Sequence, residues 1–174
     1  MRTRNLIASA ALAAALFAGG PAAYAQTAPA TQNAEGSALL LVPLTLVKID
    51  DLDFGSVVTS AAPGTVTINP STGARSFTGG VTGPTSDAGY RAYFAGAGAA
   101  NQQVLLALSP PVALTSAGGD TIPVVGLTLD GPANRTIDPV TRAFYVGVGG
   151  TLQIAANQAP GDYSADFWLT AIYQ

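Results

Sequence analysis

The sequence predicts an all-β protein, and three observations carry that prediction. Beyond residue 25 no stretch repeats its apolar residues at the helical spacing of three and four. Short apolar runs recur instead, several with strict apolar–polar alternation. Turns rich in Gly, Pro and Asn cut these runs at intervals of about ten residues, the spacing of a sandwich or barrel.

The first 25 residues stand apart from this pattern. Arg2 and Arg4 precede an apolar core, Leu6–Ala18, and the following GGPAAYA places Ala23 and Ala25 before a cut. This predicts a signal peptide over residues 1–25, with a core too short to span a bilayer comfortably. Residues 26–37 (QTAPATQNAEGS) are small and polar, which predicts a flexible N-terminal arm. Residues 38–174 are then expected to form a single β-sandwich domain, long enough for a real core.

Within that domain the elements follow in order. Ala38–Val42 and Leu44–Ile49 are apolar runs separated by Pro43, which marks an edge, a bulge or a switch between sheets. Leu52–Thr59 (LDFGSVVT) and Gly64–Asn69 (GTVTIN) are expected strands with an APG turn between them. Asn69–Gly73 (NPSTG) is a strong turn, and Ala74–Thr78 returns as the second arm of a hairpin. Gly79–Gly89 is a loop. Tyr90–Ala95, Val104–Leu108, Val112–Thr115, Val124–Leu129, Ala143–Val148 and Thr151–Ala155 are further expected strands. Gly149-Gly150 is taken as a turn between the last two. Tyr163–Tyr173 is a final long strand: Tyr163, Ala165, Phe167, Leu169, Ala171 and Tyr173 form one apolar face. The favoured architecture is an immunoglobulin-like antiparallel β-sandwich.

Composition narrows the chemistry. Cysteine and histidine are both absent, and Lys48 is the single lysine. This excludes Ser-His-Asp triads, Cys-His pairs, His-ligated zinc and disulfides. Seven basic residues stand against ten acidic ones, and Arg2 and Arg4 fall in the predicted leader. The remaining chain therefore carries a net charge of −5, which argues against nucleic acid or an anionic membrane surface as partner. No later segment is long enough to be a transmembrane helix.

Asp50, Asp51 and Asp53 are the densest acidic cluster. They suit either a calcium site or a solvated turn, and the spacing lacks the EF-hand pattern. No pair of carboxylates stands out for glycoside hydrolysis, and Asp162 and Asp166 fall on the polar face of the last strand. The glycine-rich pieces GAGAA and GGVTG lack the lysine and the strand-to-helix context of a phosphate loop. Trp168 lies opposite the apolar face, as a surface aromatic or part of a second buried face. A non-enzymatic protein without cofactor or metal is expected, with a carboxylate hydrolase as the weakest alternative.

The last strand also carries a resemblance. Gly161 is fourteenth from the end, Tyr173 is penultimate, and Tyr163, Phe167, Leu169 and Ala171 fill the alternation between. This resembles the C-terminal signature of chaperone–usher pilus subunits. The pair Gly161 and Tyr163 equally fits a tyrosine corner in a complete sandwich. LVPLTLVKIDDLDFGSVV (Leu41–Val58), GTVTINPSTGARSFTGGV (Gly64–Val81) and VGGTLQIAANQAPGDYSADFWLTAIY (Val148–Tyr173) resemble the bacterial exported domain of unknown function 4402. Leu52, Phe54 and Gly55 also resemble an element of the spore coat protein U family, although the cysteine pair of many such subunits is missing.

The pilin resemblance implies a sandwich lacking one strand, with an assembly groove beside Gly161–Tyr173. It implies a periplasmic chaperone and an usher as partners, and like subunits in a surface fibre, after export through the periplasm. The donor would come from the N-terminal side. Leu39 and Leu41 line one side of Ala38–Val42, and Pro43 separates that segment from Leu44–Ile49. Alternatively Ala38–Ile49 is one first strand that switches sheets at Pro43 and closes its own domain. The second functional expectation is accordingly a self-complete sandwich that binds carbohydrate or protein.

Overall fold

A computed structural model of the chain describes residues 32–174. The predicted signal peptide and residues 26–31 of the predicted arm lie outside the described residues. Eleven strands occur among the described residues. They are β1 (Thr45–Asp50), β2 (Gly64–Ile68), β3 (Arg75–Gly79), β4 (Ala92–Ala97), β5 (Gln103–Ser109) and β6 (Ala113–Ser116). Then come β7 (Thr121–Leu129), β8 (Asn134–Thr136), β9 (Ala143–Ile154), β10 (Tyr163–Ser164) and β11 (Trp168–Tyr173). The described residues contain no helix long and apolar enough to cross a membrane.

All the strand pairs are antiparallel, and Leu39–Gln174 form one compact unit. The fold is the expected all-β, immunoglobulin-like sandwich. Its larger sheet has eight strands, ordered β1-β4-β9-β7-β6-β10, with the β2–β3 hairpin joined through β9; the smaller has three, β11-β5-β8.

Strand β9 is the hub. Its first half pairs with β4, its second half with β2, and its middle with β7. Gly149-Gly150 is therefore no turn, a correction to the two strands expected there. The glycines sit where β9 passes from one partner to the next. A Cβ on Gly149 would collide with the Ile68 carbonyl, and one on Gly150 would lie 2.5 Å from Leu127 Cδ2. Here glycine marks close approach of neighbouring backbone, its other meaning inside a strand.

Two apolar clusters fill the interior. Phe94, Val104, Leu106, Ile137, Phe144, Val146 and Val148 are buried between β4/β9 and β5. Val66, Val81, Ile122, Leu152 and Ile154 are buried under β2, β7 and the second half of β9. Inward residues alternate along β2, where Gly64, Val66 and Ile68 are buried, and along β4, whereas the hub β9 is buried without a break from Val146 to Gly150.

Other expectations need correction. Ala38–Val42 forms no strand; its leucines are exposed, Leu40 at 89 %. Leu52–Thr59 contributes only two isolated bridges, Asp53 with Tyr90 and Val58 with Thr82. Gly55 bends that segment at φ +64°, and the Asp53 carboxylate accepts the Gly55 amide at 2.7 Å. The turn outcompetes the ladder. The final strand is also broken. β10 belongs to the large sheet and β11 to the small one, with residues 165–167 crossing between them. Tyr163 before the crossing and Phe167, Leu169, Ala171 and Tyr173 after it face the interior as expected, whereas Ala165 within the crossing is exposed, a correction to the single apolar face. A period of two reports the buried face and is silent about which sheet holds the residue. Strand β8 was not anticipated from the sequence. It pairs with only three residues of β5 and carries little apolar signal.

Candidate functional site

Three strands cannot cover eight. β5 lies in the middle of the small sheet, so β11 has one paired edge and one edge without a strand partner among the described residues. At the start of that edge, beside Trp168 and Leu169, opens a groove of about 1380 Å³ lined by residues of both sheets. Phe94, Leu127, Leu152 and Ile154 form its floor, bridging the two core clusters. Leu46 and Lys48 of β1 and the segment Asp51–Val57 flank one side; residues 158–169 flank the other. Uncovered strand edges over apolar floors are rare in finished folds, because they invite pairing with another chain.

The wall at residues 51–57 has no ladder beyond the Asp53–Tyr90 bridge and is otherwise held by side chains. Arg75 Nη1 donates to the Phe54 carbonyl at 2.8 Å and the Ser56 carbonyl at 2.9 Å. Its Nη2 donates to the Pro84 carbonyl at 2.6 Å, and the guanidinium lies 4.7 Å from the Phe77 ring centre. Asp87 accepts from the Ser56 hydroxyl at 2.5 Å and the Ser56 amide at 2.8 Å. Those bonds hold its carboxyl below the usual carboxylate value. Gly55 is required here as well, since a Cβ would strike the Asp87 carbonyl. The LDFG element is thus a turn that shapes the groove. Arg75 and Asp87 were not singled out from sequence; only a distant contact gives each its role.

Sequence-predicted site residues separate into two groups. Phe167, Leu169, Ala171 and Tyr173 project from β11 and the segment before it onto the first core cluster. Phe167 packs edge-on against Phe94 with centroids 6.1 Å apart. Gly161 and Tyr163 lie at the other end of the groove. Tyr163 Oη donates to the Ala159 carbonyl at 2.7 Å and accepts from Gln158 Nε2 at 3.1 Å. A tyrosine tied to backbone a few residues upstream is the geometry of a tyrosine corner. Tyr173 is tied at both ends of its hydroxyl. It donates to the Val42 carbonyl at 2.7 Å and accepts from the Ala99 amide at 2.7 Å. Pro43 therefore stands between an anchored Val42 and β1, while Leu39 and Leu41 make no ladder.

The three clustered aspartates do not converge. Asp51 forms an ion pair with Lys48 at 2.5 Å, Asp53 caps Gly55, and Asp50 continues β1. Among the described residues no group of three or more His, Cys, Asp or Glu side chains is placed to hold a metal. The Asp51 hydrogen bond and charge, with Asp166 contributing, raise the Lys48 pKa at the groove rim. Trp168 is exposed on the outer face of β11.

No curated protein and no solved structure matches the chain. The profile of the domain of unknown function DUF4402 matches residues 44–173, from the start of β1 through β11 and including every wall of the groove. The chain belongs to the DUF4402 family.

Proposed function

We propose that this protein is a pilin-like structural subunit that assembles by strand addition. The supporting observation is the edge of β11 without a strand partner among the described residues, which at Trp168 and Leu169 borders a groove with an apolar floor. A strand laid there would satisfy the free backbone groups of β11 and cover the floor with alternate side chains. The donor is Ala38–Val42 of the next subunit. Leu39 and Leu41 are exposed at 75 % and 38 % in the isolated chain. Five extended residues reach about 17 Å, comparable to β11.

Such a contact is head-to-tail. Each subunit keeps one free donor and one free groove, so the assembly grows into a fibre. Open grooves and exposed leucines need cover in transit, which is the role of a periplasmic chaperone and an usher. The resemblance of Gly161–Tyr173 to pilus subunits favours those partners. Export by the predicted signal peptide and a surface location complete the reading, with no enzymatic step.

The test uses the chain from Gln26 onward, with and without L39D/L41D. Size-exclusion chromatography and electron microscopy should show growing oligomers of the unsubstituted chain and none of the variant. A synthetic peptide of residues 33–43 should bind both, with amide protection appearing along Trp168–Tyr173. A stable monomer that neither polymerises nor binds the peptide would overturn the reading.

A further inference from the structure

A second depression, of about 460 Å³, shares no lining residue with the groove. It is lined by Asp50, Thr72, Gly73, Gly89, Tyr90, Arg91 and Tyr93. Arg91 is fixed in its wall. Its Nη1 donates to the Pro70 carbonyl at 3.0 Å and to the Ser71 carbonyl, and its guanidinium lies 4.9 Å from the Tyr93 ring centre. Nη2 and Nε have no protein acceptor, and no carboxylate pairs with Arg91, among the described residues. Tyr93 stacks on Tyr145 with centroids 5.9 Å apart and planes 7° from parallel. Tyr90 and Tyr145 remain about half exposed.

Cross-strand packing explains the Tyr93–Tyr145 pair by itself. It does not explain Tyr90, which stands outside the ladder beside open space. Gly73, which closes the preceding turn at φ +75°, borders that space, and its nearest neighbour there is Arg91, 3.8 Å from where a Cβ would stand. The depression thus offers one carboxylate acceptor, free guanidinium donors, a phenol hydroxyl and aromatic surface. A phosphate would meet a single cation with Asp50 beside it. A pyranose ring matches both halves, with hydroxyls for Asp50 and Arg91 and an apolar C–H face for Tyr90. The volume lies within the range of small-ligand sites.

From this we infer a hexopyranoside-binding site at Asp50, Tyr90, Arg91 and Tyr93, independent of the strand-accepting groove. The test is a titration of the isotopically labelled chain carrying L39D/L41D with methyl glucoside, galactoside and mannoside, followed by NMR. At least one should give saturable shifts confined to Asp50, Gly73, Tyr90–Tyr93 and Tyr145, with a millimolar dissociation constant. Asp50→Asn and Tyr90→Phe should each weaken it by about tenfold or more without altering the rest of the spectrum. Absence of saturable shifts with all three sugars would overturn the inference. So would equal shifts with inorganic phosphate, which would mark a plain anion site at Arg91. Peptide binding in the groove should be unaffected by either variant, so the two readings fail separately.

Discussion

Tyr173 shows how one side chain can serve two segments. Its hydroxyl joins the Val42 carbonyl and the Ala99 amide, far apart in sequence. Tyr173→Phe keeps the ring and removes both bonds, leaving a part-buried amide without its partner. It should lower stability by about 1–3 kcal/mol, read as a lower urea midpoint with an unchanged slope. Asp87 acts through its charge. Its pKa is lowered from 3.8 by the Ser56 hydroxyl and amide. A carboxyl depressed on folding adds stability that is complete above its unfolded pKa and is lost as pH falls through the folded one. The urea-midpoint difference between the native chain and Asp87→Asn should therefore be constant at neutral pH and shrink below about pH 3.8. A difference that persists unchanged at pH 2 would show that the carboxylate charge is not involved. The aspartate cluster belongs to this scale too. Its three residues fall within four positions of the sequence, yet a lysine and a backbone amide take two of them in different directions.

At the scale of elements, the groove wall is the weakest piece and Arg75 its tie. Its three donated hydrogen bonds to carbonyls join the segment 52–57 to the Pro84 loop, beside the Asp87 bonds to Ser56 and the Asp53–Tyr90 bridge. Arg75→Ala should destabilise the fold by about 2–4 kcal/mol, since bonds from charged donors are the stronger kind. Amide exchange at Gly55–Val57 should quicken more than exchange in β9. Arg75→Lys should rescue little, because an ammonium cannot span the same acceptors in one plane. The hub strand makes the opposite case. Gly149→Val would drive a branched side chain into the Ile68 carbonyl and the Pro70 ring, and should prevent folding outright. Dipeptide Gly-Gly carries the same turn signal wherever it occurs, so its role inside β9 was not legible from local sequence.

For the whole molecule, the unequal sheets are the feature with most consequence. An eight-stranded sheet faces a three-stranded one, and the uncovered strip meets the free edge of β11 at its start, Trp168 and Leu169. Filling that strip should stabilise the entire sandwich, because a ligand bound only to the folded state shifts the equilibrium by mass action. The peptide of residues 33–43 at a hundredfold excess over its dissociation constant should contribute about 2.7 kcal/mol, visible as a rise of several degrees in the thermal midpoint. The same peptide with both Leu39 and Leu41 replaced by Asp should produce no rise.

The all-β class, most strand positions and most inward residues of the last strand followed from the sequence alone. Alternation and turn residues are local, and burial imposes a period of two on any strand that lines a core. The groove was legible only in outline, through the Gly161–Tyr173 pattern and the apolar Ala38–Val42. Which edge stands open, where the final strand changes sheet, and which arginine holds the wall are matters of pairing between distant segments. Pairing at separations such as Arg75 to Phe54, or Tyr173 to Val42, leaves no periodic trace in either partner. Those features were decided only when the chain closed on itself, because a strand's free edge is defined by the neighbour it lacks.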